Sequence, residues 1–209
     1  MHIYAFGSVC RGDVDRLSDI DLLAVVDGPD DRFDPATYSV YSYGRLEEIW
    51  NEGNPFAWHL AVESRIVHSS DGTDFIADLG DPGPYRRGRD DCNKFLRLYK
   101  SASESLFADS RTRVFDLSTI FLSMRNIATC YSLATQNADF SRQSAVRIED
   151  PPLRLSSVAY RVLERARVLS IRGRGSPILP DDVAAVRSEL GALDEWMTAL
   201  VHKMESRDE

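Results

Sequence analysis

The chain has 209 residues, 43% of them hydrophobic and 28% charged, with a formal net charge of −8 and a pI near 5.1. That length allows one large domain or two small ones, with enough apolar residues for a buried core. No apolar run reaches eighteen residues, so a spanning helix is not expected, and the acidic balance argues against a polynucleotide-wrapping surface.

In chain order, His2 to Phe6 reads as a first strand, entered almost at once and without the basic segment and apolar core of a signal peptide. A glycine-serine turn at Gly7-Ser8 and a polar loop follow, and a second strand is expected from about Asp19 to Val26. Asp27-Gly28-Pro29-Asp30-Asp31 is a breaker, and the alternating Tyr38–Tyr43 segment reads as a third strand. Leu46–Trp50 begins a helix that Asn54-Pro55 interrupts and Phe56–Ala61 resumes; Arg65–His68 reads as a fourth, short strand. Gly80-Asp81-Pro82-Gly83-Pro84 has the composition of a linker, which divides the chain into 1–84 and 85–209.

Beyond the linker the apolar period changes from two to helical. The stripes are Cys92, Phe95, Tyr99, Ala102, Leu106; then Val114 to Tyr131; then Leu155, Val158, Val162, Ala166, Leu169; then Val183 through Met204. Four amphipathic helices predict an up-and-down bundle, with Thr135–Pro152 as a long connection carrying Arg142 and Arg147. The fold class expected is therefore α+β: a small mixed β-sheet domain followed by an all-α helical bundle. Cys10, Cys92 and Cys130 are odd in number and lack metal-ligand spacing, which points to a reducing cytoplasmic setting.

Chemistry concentrates near the start. On a strand Asp19 and Asp21 share one face two residues apart, a poor arrangement for a core because close like charges resist desolvation. It suits magnesium, which takes oxygen ligands from one or two carboxylates plus substrate phosphates. The Gly7-Ser8 turn offers backbone N–H groups and a hydroxyl suited to a phosphate.

Gly7-Ser8, a nine-residue gap and Ser18-Asp19-Ile20-Asp21-Leu22 resemble the nucleotidyltransferase superfamily of DNA polymerase β, in particular its minimal and aminoglycoside-modifying members. The resemblance spans roughly the first 70 residues. It implies magnesium-dependent transfer of a nucleoside monophosphate, with AMP from ATP as the expected donor pair, to a hydroxyl of a small molecule or a protein. Gly7, Ser8 and Arg11 would then meet the nucleotide's phosphates, and Asp19 and Asp21 would hold the metal. Active members carry a third carboxylate on the next strand, yet Tyr38–Tyr43 contains none. Glu63 is the best substitute catalytic acid, followed by Glu47 and Glu48, although each reads by default as a solvated helix carboxylate.

Arg125-Asn126-Ile127-Ala128-Thr129-Cys130 resembles the Arg-polar-x-x-x-His motif of HEPN helical domains, with Cys130 where the histidine would stand. That substitution removes the acid–base group, so ribonuclease action is not expected and Cys130 reads as a small buried hydrophobe. His59 reads as a packed residue, and His68 has no ligand spacing. The competing expectation is a catalytically degenerate nucleotide- or partner-binding module, antitoxin-like in kind. No membrane or nucleic-acid partner is expected; an uncovered sheet face would favour a homodimer.

Overall fold

The computed structural model describes residues 1–13, 20–28, 30–108 and 111–206. They form two compact units, Met1–Arg86 and Arg87–Glu209. The first holds a mixed four-stranded sheet and the second is helical, an α+β architecture.

In the first unit β1 (His2–Phe6) lies between β2 (Asp21–Val26) and β4 (Arg65–Ser69), antiparallel to both; β3 (Tyr38–Ser42) adds to β2 in parallel. Alternation along β1 and β2 sorts the residues. Tyr4, Phe6, Leu23 and Val25 face a core with Leu46, Ile49, Trp50, Ala57 and Leu60. Ala24 and Val26 pack on the other face with Phe33. The helices between β3 and β4 are α2 (Tyr43–Asn51) and α3 (Pro55–Glu63). Ser42 caps α2 by accepting the Arg45 N–H, so the helix starts three residues earlier than the apolar pattern suggested. Asn54 caps α3, with Pro55 in its first turn.

Two short helices escape the sequence reading. The segment after Gly7 expected as loop forms a single turn, α1 (Ser8–Arg11), closed by Gly12 in the left-handed conformation. Phe75–Asp78 forms α4 on an Asp74 cap. The described part of the second strand begins at Asp21; Asp19 and Ser18 lie outside the described residues.

The Gly80–Pro84 stretch is held against its own unit. Trp50 and Trp58 indoles donate to the Gly80 and Gly83 carbonyls, and the Gly83 N–H donates to Trp50 O at 2.8 Å. Gly53, at φ 64°, is pressed so close that a Cβ would lie 2.3 Å from Gly83 O.

In the second unit α5 (Gly88–Ala108), α6 (Arg113–Ala134), α7 (Ser157–Arg172), α8 (Pro180–Arg187) and α9 (Leu190–Glu205) pack around α6. The expected last helix is two, broken at Ser188–Glu189; the apolar stripe continues through the break, with Val186 and Leu190 both buried, so the pattern reads as one helix. Helix α6 is not amphipathic. It buries Leu117 to Phe121, Ser123, Met124 and Ile127 in sequence and touches α5, α7 and α9. On α5 Leu96 takes the buried place expected of Phe95. On α7 the seam runs through Ala159, Val162, Leu163 and Ala166, leaving Val158 exposed. No described helix is long and apolar enough to cross a membrane.

Candidate active site

The turn after β1 is built around Gly7, whose φ of 76° and ψ of −141° suit glycine alone. β1 ends at Phe6, which pairs with Asp21, and the next residue bends away beside that carboxylate. A Cβ on Gly7 would stand 2.7 Å from Asp21 Oδ2. The glycine is therefore required twice, for its conformation and for the close approach of backbone to carboxylate. Ser8 opens α1 immediately beside it. Asp21 is exposed at the head of β2, on the face it shares with Leu23 and Val25. Gly7, Ser8 and Asp21 thus meet at one end of the sheet.

Arg11, in the last turn of α1, donates from Nε to Asp13 Oδ2 at 3.0 Å and from Nη1 to Glu63 Oε2. Glu63 closes α3 and is only 7% exposed, so the expectation of a solvated carboxylate does not hold for it. The same Oε2 contacts His59 Nε2 at 2.9 Å, one helical turn back. The His59 ring meets Phe6 edge-on with centroids 5.5 Å apart, and Phe6 is the cross-strand partner of Asp21. Sequence reasoning took His59 for a packing residue, and it does pack; what it missed is the bond to Glu63. The signal was there in the four-residue spacing of His59 and Glu63 on a helix.

Glu47 and Glu48 are exposed on α2, and Glu48 pairs with Arg45 on its own helix. Strand β3 supplies no acid: its residues on the Asp21 face are Ser39 and Tyr41, beside Leu23 and Val25. Cys10 donates its thiol to Ala5 O, and burial pushes that thiol above its ordinary range, so it stays protonated near neutral pH. His68 is exposed; the histidine that meets Asp71 is His2, with Nε2 3.3 Å from Oδ1. Thr73 and Ser69 hydrogen bonds hold the Asp71 carboxyl well below the usual range.

A cleft of about 390 Å³ in the same unit is lined by Tyr4, Trp50, Arg65 and Asp74, among others, and by none of the candidate site residues. Its central polar atoms are already bonded: Tyr4 Oη donates to Asp74 and accepts from the Ile76 N–H. No group of three or more His, Cys, Asp or Glu side chains suited to a metal occurs among the described residues. A magnesium site here would draw on Asp21 together with Asp19, which lies outside them.

Residues 2–78 match the family model described as a nucleotidyltransferase domain. The N-terminal unit is a nucleotidyltransferase domain. No curated protein and no solved structure matches the chain. The matched span runs from the first strand through α4 and contains every candidate site residue, and a nucleotidyltransferase domain carries a nucleotidyl-transfer function.

Outside that domain, Arg125 on α6 donates from Nη2 to Phe140 O in the 135–152 connection. Thr129 donates to Asp139 O and Ser144 to Arg125 O, so this polar face of α6 serves to pin the connection. Arg147 pairs with Asp139, and Tyr160 Oη donates to Arg142 O. Cys130 is buried, as its placement on an apolar helix suggests.

Proposed function

We propose that the chain transfers a nucleoside monophosphate, AMP from ATP, to a hydroxyl of a small molecule or protein, with magnesium. The observation that carries this reading is the approach of Gly7 to Asp21 inside the nucleotidyltransferase domain, where a Cβ would come within 2.7 Å of the carboxylate. The missing side chain lets the main chain and an exposed carboxylate lie side by side, N–H donors for a phosphate next to a ligand for a cation. Asp21 and Asp19 would hold magnesium, which when bound neutralises charge on the transferring phosphate. The donor set fits: two carboxylates and substrate oxygens are what the ion prefers.

This chain's own groups do the rest. Gly7 and Ser8 orient the β- and γ-phosphates through N–H and hydroxyl donors, and Arg11 adds a guanidinium that bonds phosphate in a bidentate fork. Positioning in line accounts for most of the acceleration in such transfers. The acceptor proton has no carboxylate on β3 to receive it, and Glu63, bonded to Arg11, is the candidate to take it. The absence of an acid on β3 also supports a second reading: a nucleotide-binding module without turnover, acting through a protein partner.

The test is magnesium-dependent ATP binding by calorimetry with pyrophosphate release, comparing wild type with the Asp19→Ala, Asp21→Ala double variant. The transfer reading expects binding and release in the wild type and loss of both in the variant. Binding without release in any acceptor screen would favour the module. Release unchanged in the variant would rule out this site.

A further inference from the structure

Arg11, Glu63 and His59 are joined by hydrogen bonds, a linkage that the transfer reading above does not account for. Glu63 Oε2 accepts from both the Arg11 guanidinium and His59 Nε2. The Glu63 side chain is 7% exposed, whereas Arg11 and Asp13 are 19% and 52% exposed. The carboxylate is enclosed and its cation sits at the boundary with solvent. A buried carboxylate remains ionised while a cation touches it; once the cation leaves, burial favours the protonated form.

A triphosphate offers Arg11 a stronger partner, with more charge than one carboxylate and with oxygens that match the guanidinium fork. We propose that Arg11 is a nucleotide-operated latch: bound triphosphate draws it off Glu63, and the Glu63–His59 couple then becomes the acceptor for the hydroxyl proton. The proposal deepens the nucleotidyl-transfer reading and rests on it. Without nucleotide the couple is neutralised and inert. With nucleotide the acceptor oxygen bonds to the α-phosphorus, the bond to pyrophosphate breaks, and the acceptor proton passes to the couple. When products leave, Arg11 returns and the proton goes to water. His59 is a positioning residue in this scheme, holding Oε2 in place while Arg11 is away.

Among the described residues, these charged or titratable groups face the couple. Cys10 and Arg11 come from α1, Asp13 from the loop after it and Arg65 from β4. Cys10 is kept neutral by burial, so it adds no competing anion. The departure of Arg11 removes the guanidinium bonded to Glu63.

Calorimetry of the full chain with magnesium and α,β-methylene ATP, in buffers of different ionisation enthalpy, reads the latch directly. In the wild type, binding should take up protons, because the enclosed Glu63 carboxylate loses its cation. Glu63→Gln should bind without this uptake. Arg11→Ala should bind more weakly and also without it, because the couple has already lost its cation. With an acceptor present, His59→Gln should lower kcat at unchanged nucleotide KM. Equal proton uptake in wild type and Glu63→Gln, or undiminished uptake in Arg11→Ala, would overturn the latch while leaving the transfer reading intact. Failure of the wild type to bind the nucleotide would instead overturn the transfer reading itself.

Discussion

The two units differ in how they handle charge. Residues 1–86 hold sixteen acidic side chains against six basic, a net of −10, while residues 87–209 hold seventeen against nineteen, a net of +2. The first unit gathers polar atoms at one end of its sheet and leaves Asp21 exposed beside a glycine. The second closes its polar atoms on one another: Thr129, Ser144 and Arg125 all bond carbonyls between α6 and the 135–152 connection. A unit with ten net negative charges repels a polyanion unless cations intervene. Under the proposed transfer reading, the contrast separates a surface arranged for an incoming ligand from an interior arranged for its own cohesion.

Leu163→Ala breaks the comparison hardest on the cohesive side. Leu163 is fully buried on α7, and removing three carbons should cost about 2–5 kcal/mol of stability, measured by denaturant unfolding. A loss below 1 kcal/mol would mean that the bundle refills the space. Gly7→Ala should cost less in stability, about 1–3 kcal/mol for a strained positive φ, yet displace Asp21 and lower nucleotide transfer by about a hundredfold or more. Transfer at the wild-type rate would show that the glycine serves conformation alone.

Asp139→Asn is the mildest change and acts through pH. Burial raises the Asp139 carboxyl, but the Ser141 hydrogen bonds and Arg147 outweigh it, so the net shift is downward. A carboxyl depressed in the folded state contributes stability above its unfolded value near about 4, and that contribution fades as pH falls through the folded value. The wild type should therefore lose stability on acidification below about pH 4 more steeply than Asp139→Asn in parallel melts. Identical acid limbs would assign the loss to other carboxylates.

Much of this was legible in the residues. β1 runs from His2 to Phe6 as the alternation predicts, and the nucleotidyltransferase resemblance holds over residues 2–78. What escaped detection did so for identifiable reasons. Helix α1 is a single turn, too short for an apolar stripe to repeat, so none announces it. The α8–α9 break falls where Val186 and Leu190 keep the helical spacing, and periodicity cannot register a kink that preserves it. Glu63 looked solvated because charge suggests exposure, and its burial depends on Arg11, fifty-two positions earlier in the chain. Such long-range pairing leaves no local pattern.

The enclosure of α6 bears on how this chain can change over time. A helix with one wet side can drift there freely, each substitution answering only to water. On α6 the run from Leu117 to Phe121 is buried at every position, against three neighbouring helices, so a change in volume there must be met by a matching change elsewhere. The bundle's centre is therefore poorly evolvable one residue at a time, and its variants would have to arise as compensated pairs.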